Sequence, residues 1–296
     1  MEQLMRDLDF PLDAVGELLD REKELKAAGF GRRLEEMAAE LMEGETSEER
    51  LRKMLADCEA LEKETGVHRY TLDLFFLLYC AQILRGRYRG RGFSDQLFVD
   101  SMMDLKWKLL ECRQVYGVNG IFVGHWYSRF FDMTRFALGR LQFETEHFEA
   151  EKYEQDGILV KKGDTVLNVH IPSSGPLTAR EVDEAFQLAA GFYRDLFPDG
   201  VIPFVIDSWL LDPDLMKLLP EGNTKEFTSR FCLLSYEKHE VFADGWRVFG
   251  GEWEKTPDML PRKTRLQTAV ADYLAAGGKL GEGYGILIWR EKQGKQ

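Results

Sequence analysis

Val166-Leu-Asn-Val-His-Ile-Pro-Ser-Ser-Gly-Pro-Leu-Thr-Ala-Arg-Glu181 is the stretch on which the fold turns. Leu167, Val169 and Ile171 alternate with Asn168 and His170, so a strand here puts its apolar residues on one face and two polar ones on the other. Pro172 to Pro176 is a small-residue loop carrying Ser173, Ser174 and Gly175. Thr178 and Glu181 form a Thr-x-x-Glu capping box, which predicts a helix from Thr178 to about Leu196. A strand, a loop and a helix followed by an apolar strand from Ile202 to Ile206 read as part of a mixed α/β domain. Such a junction turns backbone N–H groups and the positive helix end toward one point, where an anion can sit. A plain β–α turn punctuated by proline reads the same residues equally well, because Ser-Ser-Gly-Pro matches no complete phosphate-loop fingerprint.

Upstream, Leu141-Gln-Phe-Glu-Thr-Glu-His-Phe148 alternates apolar and polar residues as a half-buried strand does. Gly157 to Lys161 and Thr165 to Ile171 read as further strands around the turn Lys162-Gly163-Asp164. Downstream come a helical region from about Pro213 to Arg230, strands at Phe231 to Tyr236 and Val241 to Phe249, a helix at Thr264 to Ala276 and a strand at Gly285 to Trp289. Before Arg140 the period is helical: Leu12, Val15, Leu18 and Leu19, then Leu34, Met37, Ala38 and Leu41. Thr46-Ser47-Glu48-Glu49 and Ser94-Asp95 start two helices. A last helix is expected from about His125 to Leu138. The expected organisation is two-domain α+β: an all-helical part over residues 1–139 and a mixed α/β part over residues 140–296.

The 296 residues are 44% hydrophobic and 30% charged, with 39 basic and 51 acidic side chains and a net charge of −12. That excludes wholesale disorder and argues against nucleic acid as the main partner. Cys58, Cys80, Cys112 and Cys232 are widely spaced, with no zinc pattern, and read as thiols in a reducing compartment. The N-terminus has no signal-peptide layout, and the longest apolar run, Leu74 to Ile83, is too short for a bilayer. A cytoplasmic protein without metal or membrane partner is expected.

A second informative stretch is Phe204-Val-Ile-Asp-Ser-Trp-Leu-Leu-Asp-Pro213, whose strand gives way to Asp207, Ser208 and Trp209 at its carboxyl end, where open α/β sheets hold ligands. Leu141-Gln-Phe-Glu-Thr, Leu167-Asn-Val-His-Ile-Pro-Ser-Ser-Gly-Pro-Leu-Thr, Asp207-Ser-Trp-Leu-Leu-Asp-Pro and Asn223-Thr-Lys-Glu-Phe together resemble a bacterial two-domain acyltransferase-like family. Its members pair a helical N-terminal domain with a GNAT-like C-terminal domain, and the resemblance covers nearly the whole chain. It implies acetyl-CoA or another acyl-CoA as donor and an amine as acceptor. In such proteins two neighbouring strands splay, the pantetheine arm enters as an extra strand, and the loop after the first strand takes the pyrophosphate. Carried over, Asn168, Ser173, Ser174, Gly175 and Thr178 hold the donor between Thr165–Ile171 and Ile202–Ile206. The usual loop, Arg/Gln-x-x-Gly-x-Gly/Ala, is reduced here to Gly175 between two prolines.

Acyl transfer to an amine needs a base for the amine proton, donors for the oxyanion and an acid for the leaving thiolate. His170 is the first candidate base, since imidazole titrates near neutrality; a partly exposed strand histidine is the plainer reading. Asp207 or Glu144 can serve through a water, Tyr236 is a candidate acid, and Glu144, Ser208, Trp209 and Asn223 are candidate acceptor contacts. No cysteine lies in the motif region, which favours direct attack over a covalent intermediate. The Gly-x-Ser-x-Gly signature of hydrolases is absent. His68, His125, His147 and His239 have no partner at metal-ligand spacing. Arg85-Gly-Arg-Tyr-Arg-Gly-Arg-Gly92 reads either as a phosphate clasp, for RNA or a CoA nucleotide, or as a solvated interhelical loop. The expected function is acyl-CoA-dependent N-acyl transfer, the alternative a non-catalytic ligand-binding or interaction protein on the same fold.

Overall fold

The computed structural model describes residues 1–44 and 46–290. The chain divides into two units between Ala137 and Leu138.

The first unit is helical: α1 (Glu2–Asp7), α2 (Leu12–Ala27), α3 (Phe30–Glu43), α4 (Glu48–Thr65), α5 (Arg69–Gly90), α6 (Asp95–Met102), α7 (Asp104–Tyr116) and α8 (Ser128–Phe131). Side-chain caps start α4 and α6: Ser47 accepts from the Arg50 N–H and Ser94 from the Leu97 N–H, each satisfying a donor that the helix leaves over. Leu72, Leu74, Phe75, Phe76, Leu77, Leu78 and Cys80 are all buried, so α5 is apolar all round and is the central helix of the bundle. Among the described residues no helix is long and apolar enough to cross a membrane.

Two expectations fail here. Arg85 to Gly90 is not a loop but the last turns of α5, where arginines suit the negative helix end. Arg85 donates to Asp7 at 2.6 Å and to Asp95, and Arg89 donates to Asp95 at 3.0 Å, so carboxylates of the unit itself hold these two arginines. His125 to Leu138 is not one helix either. A 3-10 turn (Gly124–Tyr127) runs into α8, Met133 takes a left-handed φ of 60° that ends the helix, and β1 (Arg135–Leu138) follows.

The second unit contains β2 (Leu141–His147), β3 (Lys152–Gln155), β4 (Ile158–Lys161), β5 (Thr165–His170), α9 (Ala179–Phe192), β6 (Val201–Ser208), α10 (Pro213–Leu218), α11 (Asn223–Thr228), β7 (Cys232–Lys238), α12 (Gly245–Phe249), α13 (Arg265–Ala275) and β8 (Gly281–Arg290). The expected strand at Val241 to Phe249 is instead a turn and α12, whose apolar residues join a cluster with Leu215, Leu260 and Val270. A short apolar run has no period that separates strand from helix.

Within this unit the main sheet has the order β2-β5-β6-β8-β7, and β3 and β4 form a separate hairpin. β5 and β6 are parallel while β2–β5, β6–β8 and β7–β8 are antiparallel. On one face α9 packs Phe186 against Phe143 and Phe204, with ring centroids 6.1 and 4.6 Å away. On the other face Val166, Val205 and Ile286 pack with Phe148 and Val160 of the hairpin region.

The junction after β6 is tied by Asp212, which is fully buried. Its carboxylate accepts from the N–H groups of Asp214 and Leu215 at 2.9 and 3.0 Å, from Lys238 at 2.7 Å and from the Gly281 N–H at 2.9 Å. Beside it, a 3-10 turn (Trp209–Leu211) crosses β8 closely: a Cβ on Gly283 would lie 2.5 Å from the Leu211 carbonyl oxygen. Gly283→Ala is therefore expected to lower unfolding stability by about 1–3 kcal/mol. Gly86→Ala, at an exposed helix position with open space around it, is expected to raise stability by up to about 1 kcal/mol. Chemical denaturation of both variants checks the contrast.

Candidate active site

β5 and β6 part. Their parallel register covers Leu167↔Phe204 and Asn168↔Val205, but β5 continues to His170 and β6 to Ser208. β2 stays paired with β5 through His170, and β8 stays paired with β6 through Ser208. The two strands are thus paired along their outer sides, while their facing edges have no registered pair beyond Asn168 and Val205. The wedge opens toward the loop 172–176 that follows β5.

Register decides which side chains share the sheet face at this wedge. Asn168 is opposite Glu144 on β2 and Val205 on β6, and Asp207 is opposite Tyr284 on β8. Residues two apart on a strand share a face, so Glu144, Asn168, His170, Asp207 and Tyr284 lie on one side. His170 Nε2 is 3.0 Å from Glu144 Oε2, and the Glu144 side chain is almost wholly buried. A neutral imidazole that donates from Nε2 to this carboxylate presents Nδ1 as the proton-accepting nitrogen. Asn168 is 93% removed from solvent by its 7% exposure, and its Oδ1 has no hydrogen-bond partner. A buried acceptor left unpaired costs about 1–3 kcal/mol, which a donor brought in by a ligand would recover.

Asp207 stands at the open end of β6. Loss of water around it, then the nearby charges of Glu282, Glu149 and Glu146, push its carboxyl up to about 6. Burial likewise pushes the Tyr284 hydroxyl up to about 12, and that hydroxyl accepts from the Glu149 N–H at 3.4 Å.

The loop and the helix after it are shaped by two side chains. Thr178 caps α9, its Oγ1 accepting from the Glu181 N–H at 3.3 Å and donating to the Glu181 carboxylate. Gly175 has φ of 132°, a region that only glycine adopts without strain. Arg140, just before β2, donates Nη1 to the Pro172 carbonyl at 2.9 Å, Nε to the Pro176 carbonyl at 3.0 Å and Nη2 to the Gly175 carbonyl. Ser173, Ser174 and Gly175 all fall inside this clamp.

The remaining candidates disperse. Tyr236 is 57% exposed on the edge strand β7, opposite Gly283, and so lies on the sheet face away from Asp207 and Tyr284. Ser208 Oγ accepts from the Leu210 N–H at 3.2 Å. Trp209 packs on the apolar cluster around Leu210, its ring 5.9 Å from Phe242. Asn223 is exposed at the start of α11. Of the other histidines, His68 caps α5, and His147 contacts the Gly163 carbonyl at 3.0 Å. Two residues went unread in the sequence: Tyr284, whose place depends on the β6–β8 register, and Arg140, whose partners lie 32 to 36 positions away.

Two family models match the chain: the N-acyltransferase N-terminal domain over residues 1–133 and the GNAT-like C-terminal domain over residues 136–287. An acyltransferase solved in complex with CoA and 10C-teicoplanin superposes with a TM-score of 0.70 at 21% identity, covering 96% of this chain and 86% of that one. An acyltransferase in complex with decanoyl-CoA and teicoplanin gives 0.68 at 21% identity, with 97% and 86% covered. A mutant acyltransferase in complex with octanoyl-CoA gives 0.69 at 21%, with 96% and 86% covered. At that identity the likeness is one of fold. No curated protein sequence matches the chain.

The raised Asp207 carboxyl has a signed consequence for stability. The folded state binds its proton at about 6 against an ordinary 3.8, so between those pH values the folded chain holds more protons than the unfolded one. The contribution of this group to stability therefore falls as pH rises from about 4 to about 6. Because Asp207 is exposed to solvent, which screens the effect, Asp207→Asn is expected to be only slightly more stable than wild type at pH 8, with the difference shrinking toward pH 4, as denaturation midpoints at the two pH values will show.

Proposed function

Because the chain belongs to the family that joins an N-acyltransferase N-terminal domain to a GNAT-like C-terminal domain, we propose that it transfers an acyl group from an acyl-CoA thioester to an amine by direct attack. The observation that carries this reading is the parting of β5 and β6 beside a clamped loop and a capped helix start. A pantetheine arm entering as an extra strand finds unmatched edges on both sides. Solved acyltransferases of the same fold hold CoA, octanoyl-CoA or decanoyl-CoA, which supports acyl-CoA as the donor class.

In this reading the pyrophosphate lies on the loop of Ser173, Ser174 and Gly175 and on the start of α9 capped by Thr178. Asn168 Oδ1, unpaired at the closed end of the wedge, accepts an amide N–H of the pantetheine. The amine enters from the side of Asp207, whose carboxylate neighbours Glu282, Glu149 and Glu146 favour a protonated amine. Ser208, which pairs with Gly283 and so faces away from Asp207, takes no part in this arrangement, and neither do Trp209, packed on the apolar cluster, and Asn223, exposed at the start of α11. The bound ammonium first loses a proton to solvent, and His170 takes the second proton as the neutral nitrogen attacks, while Glu144 holds its ring. The nitrogen attacks the thioester carbonyl carbon, a C–N bond forms, and the C–S bond breaks as the tetrahedral intermediate collapses. The leaving thiolate takes a proton from Tyr284, which shares the face, rather than from Tyr236, which does not; Tyr284 then regains a proton from solvent and the His170 imidazolium gives its own up to solvent. Cytoplasm is the compartment that supplies acyl-CoA and keeps the free thiols of Cys58, Cys80, Cys112 and Cys232 reduced.

Release of free CoA thiol from octanoyl-CoA, followed across a panel of primary amines, is the direct assay. His170→Ala is expected to lower the amine-dependent rate by about 10²–10⁴-fold, the usual weight of a general base. Glu144→Gln should lower it less, because it leaves the imidazole in place but removes the charge that supports the imidazolium. Wild-type rates in His170→Ala would remove the histidine from the mechanism, and no amine-dependent release from any acyl-CoA would leave a binding protein without chemistry.

A further inference from the structure

The loop that the donor reading assigns to pyrophosphate lacks the second glycine and the leading Arg or Gln of the usual pattern. The structure shows what stands in their place. One guanidinium, from Arg140, reaches three carbonyls of the loop: Pro172, Gly175 and Pro176. Arg140 is half-buried, and burial pulls its guanidinium down from its ordinary value, with Glu181 as the nearby negative charge. Desolvating a cation to hold neutral carbonyls is costly, and it is offset here by bonds that draw the loop carbonyls to one side.

That arrangement has a geometric result. In a trans peptide unit the C=O and N–H point in opposite directions. With the carbonyls of Pro172 and Pro176 turned to Arg140, the N–H groups of the same units, those of Ser173 and Leu177, face the other way. Pro176 has no N–H, so the Gly175 carbonyl is held without a donor being spent. The positive charge of the guanidinium sits behind this donor surface, and the capped start of α9 lies beside it.

We propose that Arg140 is the positioning residue of the pyrophosphate loop, shaping its backbone and adding positive charge for the nucleotide diphosphate end of the donor in place of the missing glycine pattern. This inference rests on acyl-CoA being the donor. It makes a claim that the donor reading alone does not: Arg140 senses the nucleotide end of the molecule and not the acyl-pantetheine end.

Calorimetric titration of the full chain with octanoyl-CoA and with S-octanoyl-pantetheine, which lacks the adenosine and all three phosphate groups of CoA, separates the two. Arg140→Ala is expected to weaken octanoyl-CoA binding by about tenfold or more, as for the loss of hydrogen bonds to a charged group, and to leave S-octanoyl-pantetheine within about twofold of wild type. Arg140→Lys is expected to recover little, because an ammonium on a flexible stem does not reproduce the planar fork across three carbonyls. If Arg140→Ala does not fold, Arg140→Lys carries the same comparison. Equal weakening of both ligands, or of neither, would overturn the proposal. Wild type that binds neither ligand would instead overturn the acyl-CoA reading on which it stands.

Discussion

The second unit is organised around the separation of two strands that a parallel sheet would ordinarily keep together. β5 and β6 are joined through two registered pairs and are unpaired beyond them, each with an antiparallel partner on its outer side. A sheet interior cannot leave backbone donors and acceptors unmet without cost. The wedge is tolerable because it opens to solvent and because something extended can fill it. α9, which must begin where the wedge opens, supplies the crossover, and its capped start and the clamped loop then face the same opening.

Other features serve to keep that opening in place. Asp212 is the second aspartate of the Asp207-to-Pro213 stretch, and its buried carboxylate ties the end of β6 to β7 and β8. A buried carboxylate bonded to a lysine and three backbone N–H groups is specific in geometry, and removing any partner would leave charge uncompensated. Asp207, five positions earlier in the same stretch, stands at the wedge mouth instead. One short segment thus contains an aspartate that builds the junction and another that faces what binds there.

Much of this was legible in the sequence for a plain reason: amphipathic period survives whatever the tertiary context. The change from a helical to a two-residue period at Arg140 gave the helical first part and the mixed second part, and the alternation in β5 put Asn168 and His170 on one face. Places without a period were read wrongly. The stretch from His125 to Leu138 carries aromatic residues on several faces and so looks like one helix, although a left-handed Met133 breaks it into a turn, a short helix and a strand. The glycines among Arg85 to Gly90 suggested a loop, yet α5 continues through them, with Tyr88 anchored in the core. The contact between Glu144 and His170, the place of Tyr284 and the grip of Arg140 all depend on register or on long-range geometry, which residue type and spacing do not encode.

Hydrogen exchange tests the account at its centre, because the parted edges are backbone. Adding saturating octanoyl-CoA should slow exchange in a peptide covering Val169 to Ile171 and another covering Ile206 to Ser208, as an inserted arm bonds to both edges, with the loop from Pro172 to Leu177 slowed as well. Protection confined to other parts of the chain, or binding with no change at these two edges, would contradict the wedge as the donor's seat.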